Sequence, residues 1–551
     1  MTPSSAARSR EAALVVAIAV AAFALRAWGF GFGLPHTYHP DEHQYVETAL
    51  HILDGEPNPG RFNNPSLYKY ALAALDAGWL AAGRAFGAYD SAGEFQAAAA
   101  ADPTASYALA RLATALIGAL TVILVYVLGR EAYSSRTGLV GAALLAGTYL
   151  HARDAHFAVS DIPSAALVTA SLLFSLRVSH AGRGRDYALA GATAGLAAAT
   201  KYSGALVLLS LVAAHFLSDR VRSLLWPRRI FDARLLAAGL VCGAAFLVAV
   251  PFAVLDWPAF QQDIALLLER GQVGFKGLQL SPDSGWVFYA KSLWWGMGPP
   301  LIVASVAGAV LALVRHRRAD IVLVVFPIVL YAWMGRQLLM FARFMLPAVP
   351  TLALLAATVV VLLADSLPDR GRLRAAATAA ITAVLLVVPV SDSLRFDWLL
   401  VQPDTRDVAQ GWIETNVPPG AKVLVHSNGP ELAGVDHPAP GATRAFDLTV
   451  MGTTGLSREP LQSYVDAGYE YIVVSSHSYD RRLLDPAEDE ARQAFYAQLD
   501  RELDLVAEFA PQSSGAGPPF VFAEIYGPAI GLWQLERPGP TIKVYRVPQG
   551  L

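Results

Sequence analysis

Charge is scarce in this sequence. Lys, Arg, Asp and Glu make up 16% of its 551 residues, against about 25% in an ordinary soluble domain. With 54% hydrophobic residues, the chain has too few charges to hydrate its own surface. Cysteine is almost absent. Cys242 is alone and lies in an apolar run, which excludes an intrachain disulfide and a thiolate zinc cluster. No basic stripe accompanies the net charge of -3, so nucleic acid is not an expected partner. There is no nucleotide-sugar fingerprint, no low-complexity tail and no internal repeat. The missing repeat argues against an inverted-repeat transporter.

What is present is a series of apolar runs near bilayer-spanning length, about 20 residues each. They fall at 11–30, 106–129, 137–152, 162–180, 187–200, 203–217, 235–255, 296–314, 320–335, 344–363 and 374–391. The first follows Arg8 and Arg10 and lacks a small-residue cleavage site, so it reads as a retained helix rather than a signal peptide. The segment 66–88 is apolar but carries Lys69, Asp76 and Arg84. Loop charge decides its place. If it does not span, the loops REAYSSR, AGRGRD, DRVRSLLWPRRIFDAR, RHRRAD and PDRGRLR all face the cytoplasm, as the positive-inside rule requires. If it spans, all five move outside. Segment 66–88 is therefore expected as an interfacial or re-entrant helix, giving about eleven spans. The expected location is a bacterial inner membrane, with the N-terminus cytoplasmic.

With that orientation, 31–105, 151–161, 256–295 and everything from about 393 face outward. The expected architecture is an α-helical polytopic membrane domain, 1–392, followed by an extracytoplasmic α/β domain, 393–551. Strand-like runs AKVLVHS, YEYIVVSS and TIKVYRV alternate there with helix-like DTRDVAQGWIETN and EARQAFYAQLDRELDLVAEF.

Polar residues gather on the outer face. In HTYHPDEHQYVETAL, Pro40 starts a helix whose first turns hold Asp41, Glu42 and Glu47, where the helix dipole favours acidic groups. Tyr38 and Tyr45 are placed to hold Asp41, and His36, His39 and His43 add donors. An ordinary solvated helix start accounts for the same pattern. In HARDAHFAVSDIP, Arg153, Asp154, His156 and Asp161 crowd one short turn between spans. Ionisable groups at a membrane edge tend to be functional, although Asp161 also reads as a helix cap. Lys201, Arg336 and Arg343 sit at outer span ends, against the positive-inside trend. A lipid phosphate would balance them, and so would salt bridges to Asp41 or Asp161.

In order, the chain carries Pro40-Asp41-Glu42, an Asn-Pro-Ser-Leu-Tyr-Lys-Tyr segment from Asn64, an Arg-Asp-Ala-His-Phe-Ala-Val-Ser-Asp turn ending at Asp161, Thr-Lys-Tyr-Ser-Gly around Lys201, and Arg-Phe-Met-Leu-Pro from Arg343. This set resembles the phospholipid carrier-dependent glycosyltransferases of the GT-C fold, which include protein O-mannosyltransferases and aminoarabinose transferases (glycosyltransferase family 39-like). The resemblance spans about 30–400. It implies that Asp41 is the catalytic carboxylate, that Asp161 matches a second aspartate, and that 66–88 is a juxtamembrane helix. One departure stands out. Aminoarabinose transferases are similar in carrying Phe-Glu-Lys-Pro before that helix, where this chain has Phe62-Asn63-Asn64-Pro65. An aminoarabinose donor is therefore disfavoured.

The function implied is transfer of a hexose or pentose from a polyprenyl-phosphate donor to a hydroxyl on a protein, lipid or glycan acceptor, with inversion. Asp41 is expected as general base, with Glu42 and Asp161 as helpers. Arg153, His156, Lys201, Tyr202, Arg336, Arg343, Asn64 and Tyr68 are the substrate-binding candidates. A metal-free site is preferred, with Asp41, His39 and His43 as the candidates for a divalent ion. Two other readings stand beside it: a transporter or lipid flippase, and a non-catalytic scaffold presenting the C-terminal domain.

Overall fold

The computed structural model describes residues 5–548 apart from 276, 369, 435–438, 440, 514–516, 519, 522–526 and 528–529. Each of the eleven expected apolar segments is helical over most of its length. Among the described residues, five helices are long and apolar enough to cross a bilayer: Thr104–Ala132, Asp161–Ala181, Trp226–Ala249, Ala342–Asp365 and Gly371–Asn416. The pair Gly285–Met297 and Pro299–Arg315 would make a sixth, bent by 116° at Gly298. The remaining segments form shorter or more charged helices, such as Ser5–Ala27, which contains Arg10, Glu11 and Arg26. The chain is a multi-pass membrane protein.

Small residues set the closest helix contacts. Gly191 and Gly195, four apart on helix Gly184–Thr200, face helix Ala233–Ala249. A Cβ at either would lie 2.3 or 2.2 Å from the carbonyl oxygens of Ala238 and Cys242. Only glycine lets the two backbones meet this closely, as in small-xxx-small packing between membrane helices.

The loop after the first helix, expected to face outward, is mostly helical. Helix His43–Leu53 packs on helix Leu67–Ala85, which fills the expected juxtamembrane segment and is not one of the helices long and apolar enough to cross a bilayer. An aromatic core holds this layer together: Phe32, Tyr45, Tyr68, Tyr107, Tyr149, Phe157 and Phe396. Phe396 belongs to helix Gly371–Leu400, so the expected domain boundary at 392/393 falls inside a continuous helix.

Beyond it lies a sheet-containing unit. The strands among the described residues are β1 (Leu278–Gln279), β2 (Lys422–His426), β3 (Ala433–Gly434), β4 (Ala445–Met451), β5 (Tyr471–Ser475), β6 (Arg482–Leu483), β7 (Asp504–Phe509) and β8 (Ile542–Arg546). Six form one sheet in the order β3-β4-β2-β5-β8-β7. Its β3-β4-β2-β5 half is parallel, while β8 runs antiparallel to both β5 and β7. One expectation is corrected here. The run expected as a single helix to Phe509 ends at Glu502, and its last six residues are β7. β1 pairs with β6, which ties the loop after helix Trp257–Val273 to this C-terminal unit.

Candidate functional site

Glu42 organises the site. Its two oxygens accept from Arg111 Nε at 2.8 Å and Nη2 at 2.7 Å. Arg111 Nη1 also donates to the carbonyls of Phe30 and Phe32, and the Ala158 amide donates to Glu42 Oε1 at 2.7 Å. Arg111 lies within helix Thr104–Ala132. One buried pair therefore joins the loop after the first helix, a membrane helix and the turn before Asp161. Arg111 and the Ala158 amide hold the Glu42 carboxyl below its usual range even though burial pushes it up. Glu42, expected as a helper of Asp41, gives its oxygens to Arg111 and the Ala158 amide rather than to Asp41. It shapes the scaffold on which Asp41 and Asp161 meet.

Asp41 occupies the turn just before helix His43–Leu53. Its backbone amide donates to His39 Nδ1 at 3.3 Å. The His39 ring lies against Phe157, with centroids 4.4 Å apart. Burial lowers His39 to about 4, so the imidazole stays neutral and keeps the lone pair that accepts this bond. Asp41 Oδ2 pairs with Arg343 Nη2 at 2.6 Å. Arg343 Nε lies 3.8 Å from Asp161 Oδ2, and Lys201 donates to Asp161 Oδ1. The result is a row of alternating charge: Asp41, Arg343, Asp161, Lys201. Each cation also rests on an aromatic face, Arg343 on Phe341 and Lys201 on Phe344, at 4.6 and 4.3 Å, contacts that favour a partly desolvated cation. Burial pushes the Asp41 carboxyl up, but Arg343, aided by Lys201, holds it below its usual value.

The far end of the row opens into an apolar cavity of about 240 Å³, lined in part by Asn63, Asn64, Lys201, Tyr202, Trp333 and Phe344. The Tyr202 hydroxyl donates to the Phe62 carbonyl at 2.7 Å, and Asp263 accepts from the Phe62 amide at 2.6 Å. These bonds fix the stretch that carries both asparagines.

Other expected residues lie elsewhere. Arg153 pairs with Asp154 at 2.9 Å and donates to the Gly527 carbonyl, so it reaches toward the C-terminal unit. Burial raises the Asp154 carboxyl, and Arg153 offsets only part of that rise. His156 is 1% exposed, lies 3.1 Å from Asp397 and bonds the carbonyls of Ala152 and Trp28. These contacts brace the interior between helix Gly371–Leu400 and the turn before Asp161. Tyr68 is buried, bonds Thr114 and packs edge-on against Tyr45; it is core. Arg336 is exposed and makes no ion pair among the described residues. Among those residues, no three His, Cys, Asp or Glu side chains come together as a metal site, so the set Asp41, His39 and His43 is not assembled as one.

Sequence reasoning missed two residues. Arg111 sits inside an expected span, where a lone arginine signals a buried partner. Gln44, three residues after Asp41 on the same helical turn, donates to Asp41 Oδ1 at 3.4 Å. Tyr45, which had been expected to hold Asp41, instead bonds Ser160 at 2.8 Å, beside Asp161.

The whole-chain architecture matches known structures. The chain is similar to an apo oligosaccharyltransferase from Archaeoglobus fulgidus, at 13% identity and a TM-score of 0.52, covering 91% of this chain and 73% of that one. It is also similar to the archaeal oligosaccharyltransferase AglB from the same organism, in complex with an inhibitory peptide and a dolichol-phosphate, at 13% identity and 0.52, covering 99% and 89%. ArnT from Cupriavidus metallidurans bound to undecaprenyl phosphate matches at 16% identity and 0.49, covering 97% of each chain. The two oligosaccharyltransferase matches show that the fold is the GT-C fold. Within that class, residues 105–254 match the family model described as dolichyl-phosphate-mannose-protein mannosyltransferase; this stretch contains Asp161 and Lys201. A search of curated protein sequences finds no match.

Proposed function

We propose that this chain is a membrane glycosyltransferase that takes a sugar from a polyprenyl-phosphate donor on the extracytoplasmic face of a bacterial inner membrane. The observation that carries this reading is the Asp41–Arg343–Asp161–Lys201 row at the edge of an apolar cavity. The cavity suits a lipid tail, and Lys201 and Arg343 suit its phosphate. The matching fold of AglB, whose structure holds a dolichol-phosphate, and the mannosyltransferase family match at 105–254 support a donor of this class.

In this reading an acceptor hydroxyl attacks the anomeric carbon in a single displacement, with inversion. The new C–O bond forms as the bond to the lipid phosphate breaks. Asp41 Oδ accepts the hydroxyl proton, and the polyprenyl phosphate departs with its charge held by Lys201 and Arg343. Asp161 holds both cations in place. Asp41 is ionised before the reaction, because Arg343 keeps its carboxyl low. When the donor phosphate draws Arg343 toward itself, Asp41 is released and becomes a stronger base.

Asp41→Asn keeps the size of the side chain and removes the base. Sugar transfer in reconstituted membranes is expected to fall by about 10²- to 10⁴-fold, with binding of polyprenyl phosphate retained. Near-normal turnover in that variant would remove Asp41 from the mechanism.

A further inference from the structure

We propose that the end of the membrane domain away from the charge row binds the headgroup of an anionic phospholipid, in the leaflet opposite the row. Helix Asp161–Ala181 sets the distance. Asp161, its first residue, belongs to the row, and Arg177 and His180 lie near its other end. At about 1.5 Å per residue, Arg177 is about 24 Å from Asp161 along the axis, approaching the thickness of a hydrocarbon core, about 30 Å. There the ends of helices Thr104–Ala132, Asp161–Ala181 and Gly184–Thr200 frame a cavity of about 180 Å³, lined in part by Glu131, Arg177, His180, Arg183, Arg185 and Asp186.

The charges at this end divide into two groups. Arg177 is spent on Glu131, through bonds of 2.9, 3.1 and 3.0 Å. Asp186 is buried, with Arg185 Nε 3.7 Å away. Arg229 donates to the carbonyls of Arg222 and Leu224 at 2.6 and 2.9 Å, and Arg318 to the Ser179 carbonyl and to Asp219. These groups build the corner. Arg183, His180 and Arg220 are exposed, and their side chains make no hydrogen bond or ion pair among the described residues. Arg220 belongs to the same corner, because a Cβ on Gly182 would lie 3.7 Å from its side chain.

The next segment points to a lipid rather than a soluble anion. Leu225, Trp226, Ile230 and Phe231 are all exposed, and Trp226 stacks on Phe216 of helix Leu208–Leu217 with centroids 6.1 Å apart. Large apolar side chains among arginines, at the ends of membrane helices, are what an interfacial segment carries. An anionic phospholipid supplies both parts: acyl chains beside the apolar residues, and phosphate for Arg183 and Arg220. A zwitterionic headgroup would bring an ammonium to a place where both carboxylates already face a guanidinium.

The test uses the full-length protein in phosphatidylcholine nanodiscs, with fluorescent phosphatidylglycerol as the probe. The wild type should bind it in preference to phosphatidylethanolamine of the same chain length. The double variant Arg183→Gln, Arg220→Gln should weaken that binding by about tenfold to thirtyfold, and its binding of polyprenyl phosphate should match the wild type. Arg372→Gln, an exposed arginine at the end of helix Gly371–Leu400 far from Phe396, should have little effect. The proposal is overturned if Arg372→Gln costs as much as the double variant, which would reduce the site to a uniformly basic face. It is also overturned if phosphatidylethanolamine binds equally well, if glycerol 3-phosphate displaces the probe at equal concentration, or if polyprenyl phosphate binding falls together with that of the probe. Every readout is lipid binding, so the outcome does not depend on the transfer activity proposed above.

Discussion

Asp41 and Glu42 are neighbours in the chain, yet the side chain of one is 25% exposed and that of the other is fully buried. Both are paired with an arginine. Glu42 meets Arg111 through two parallel bonds, with the Ala158 amide as a third donor. Asp41 meets Arg343 through one contact, and Arg343 is shared with Asp161. A saturated pair is a structural weld, whereas a shared, half-open one can exchange partners. Adjacent carboxylates of identical charge thus differ in how fully their hydrogen-bonding capacity is used, and the proposed catalytic role falls to the less saturated one.

Substitutions should separate the two roles. The largest effect on activity is expected from Asp41→Asn, about 10²- to 10⁴-fold in transfer rate, with an unchanged thermal midpoint. Glu42→Ala should do the reverse. It strands Arg111 in the interior and should cost about 3–5 kcal/mol of stability, read as a lower unfolding temperature in detergent. Equal stability of the two variants would erase the distinction.

pH sharpens the comparison further. The folded Glu42 carboxyl is depressed, so its contribution to stability is present in full above the ordinary value of 4.5 and is lost as pH falls through the depressed one. For Asp41 the readout is kinetic. Arg343→Gln removes the main cation that lowers it and leaves the burial that raises it. The acidic limb of the pH–rate profile should therefore move to higher pH; a limb that stays put would show that Asp41 is not the titrating base. The smallest effect is expected from Arg336→Ala, within about 0.5 kcal/mol in stability and near wild type in transfer. A large loss there would restore Arg336 to the donor site.

Much of this was legible in the sequence, for physical reasons. The apolar runs marked helices because backbone in lipid must satisfy its own hydrogen bonds. Lys201 and Arg343 stood out as cations at span ends on the unexpected face, and the row they form with Asp41 and Asp161 is the salt-bridge arrangement that the loop charges had left open. The role of Glu42 was not legible, because Arg111 lies 69 residues away and only packing brings it near. His156 and Tyr68 carried polar groups suited to a ligand, and the structure gives those groups internal partners instead. The β7 strand was hidden for a similar reason. No glycine or proline marks the break after Glu502, and β7 takes its conformation from pairing with β8 more than thirty residues later, a tertiary influence that local pattern does not record.

The row of four charges has one more consequence. Its two carboxylates and two cations sum to zero, so from a distance it presents little net field. Water and salt screen what remains within about a nanometre. Such a site does not draw an anion out of the aqueous phase by long-range steering. Its attraction acts only on a headgroup already at the cavity mouth, so a lipid ligand would arrive by lateral diffusion within the membrane leaflet, and soluble phosphates would be poor competitors for the same cations.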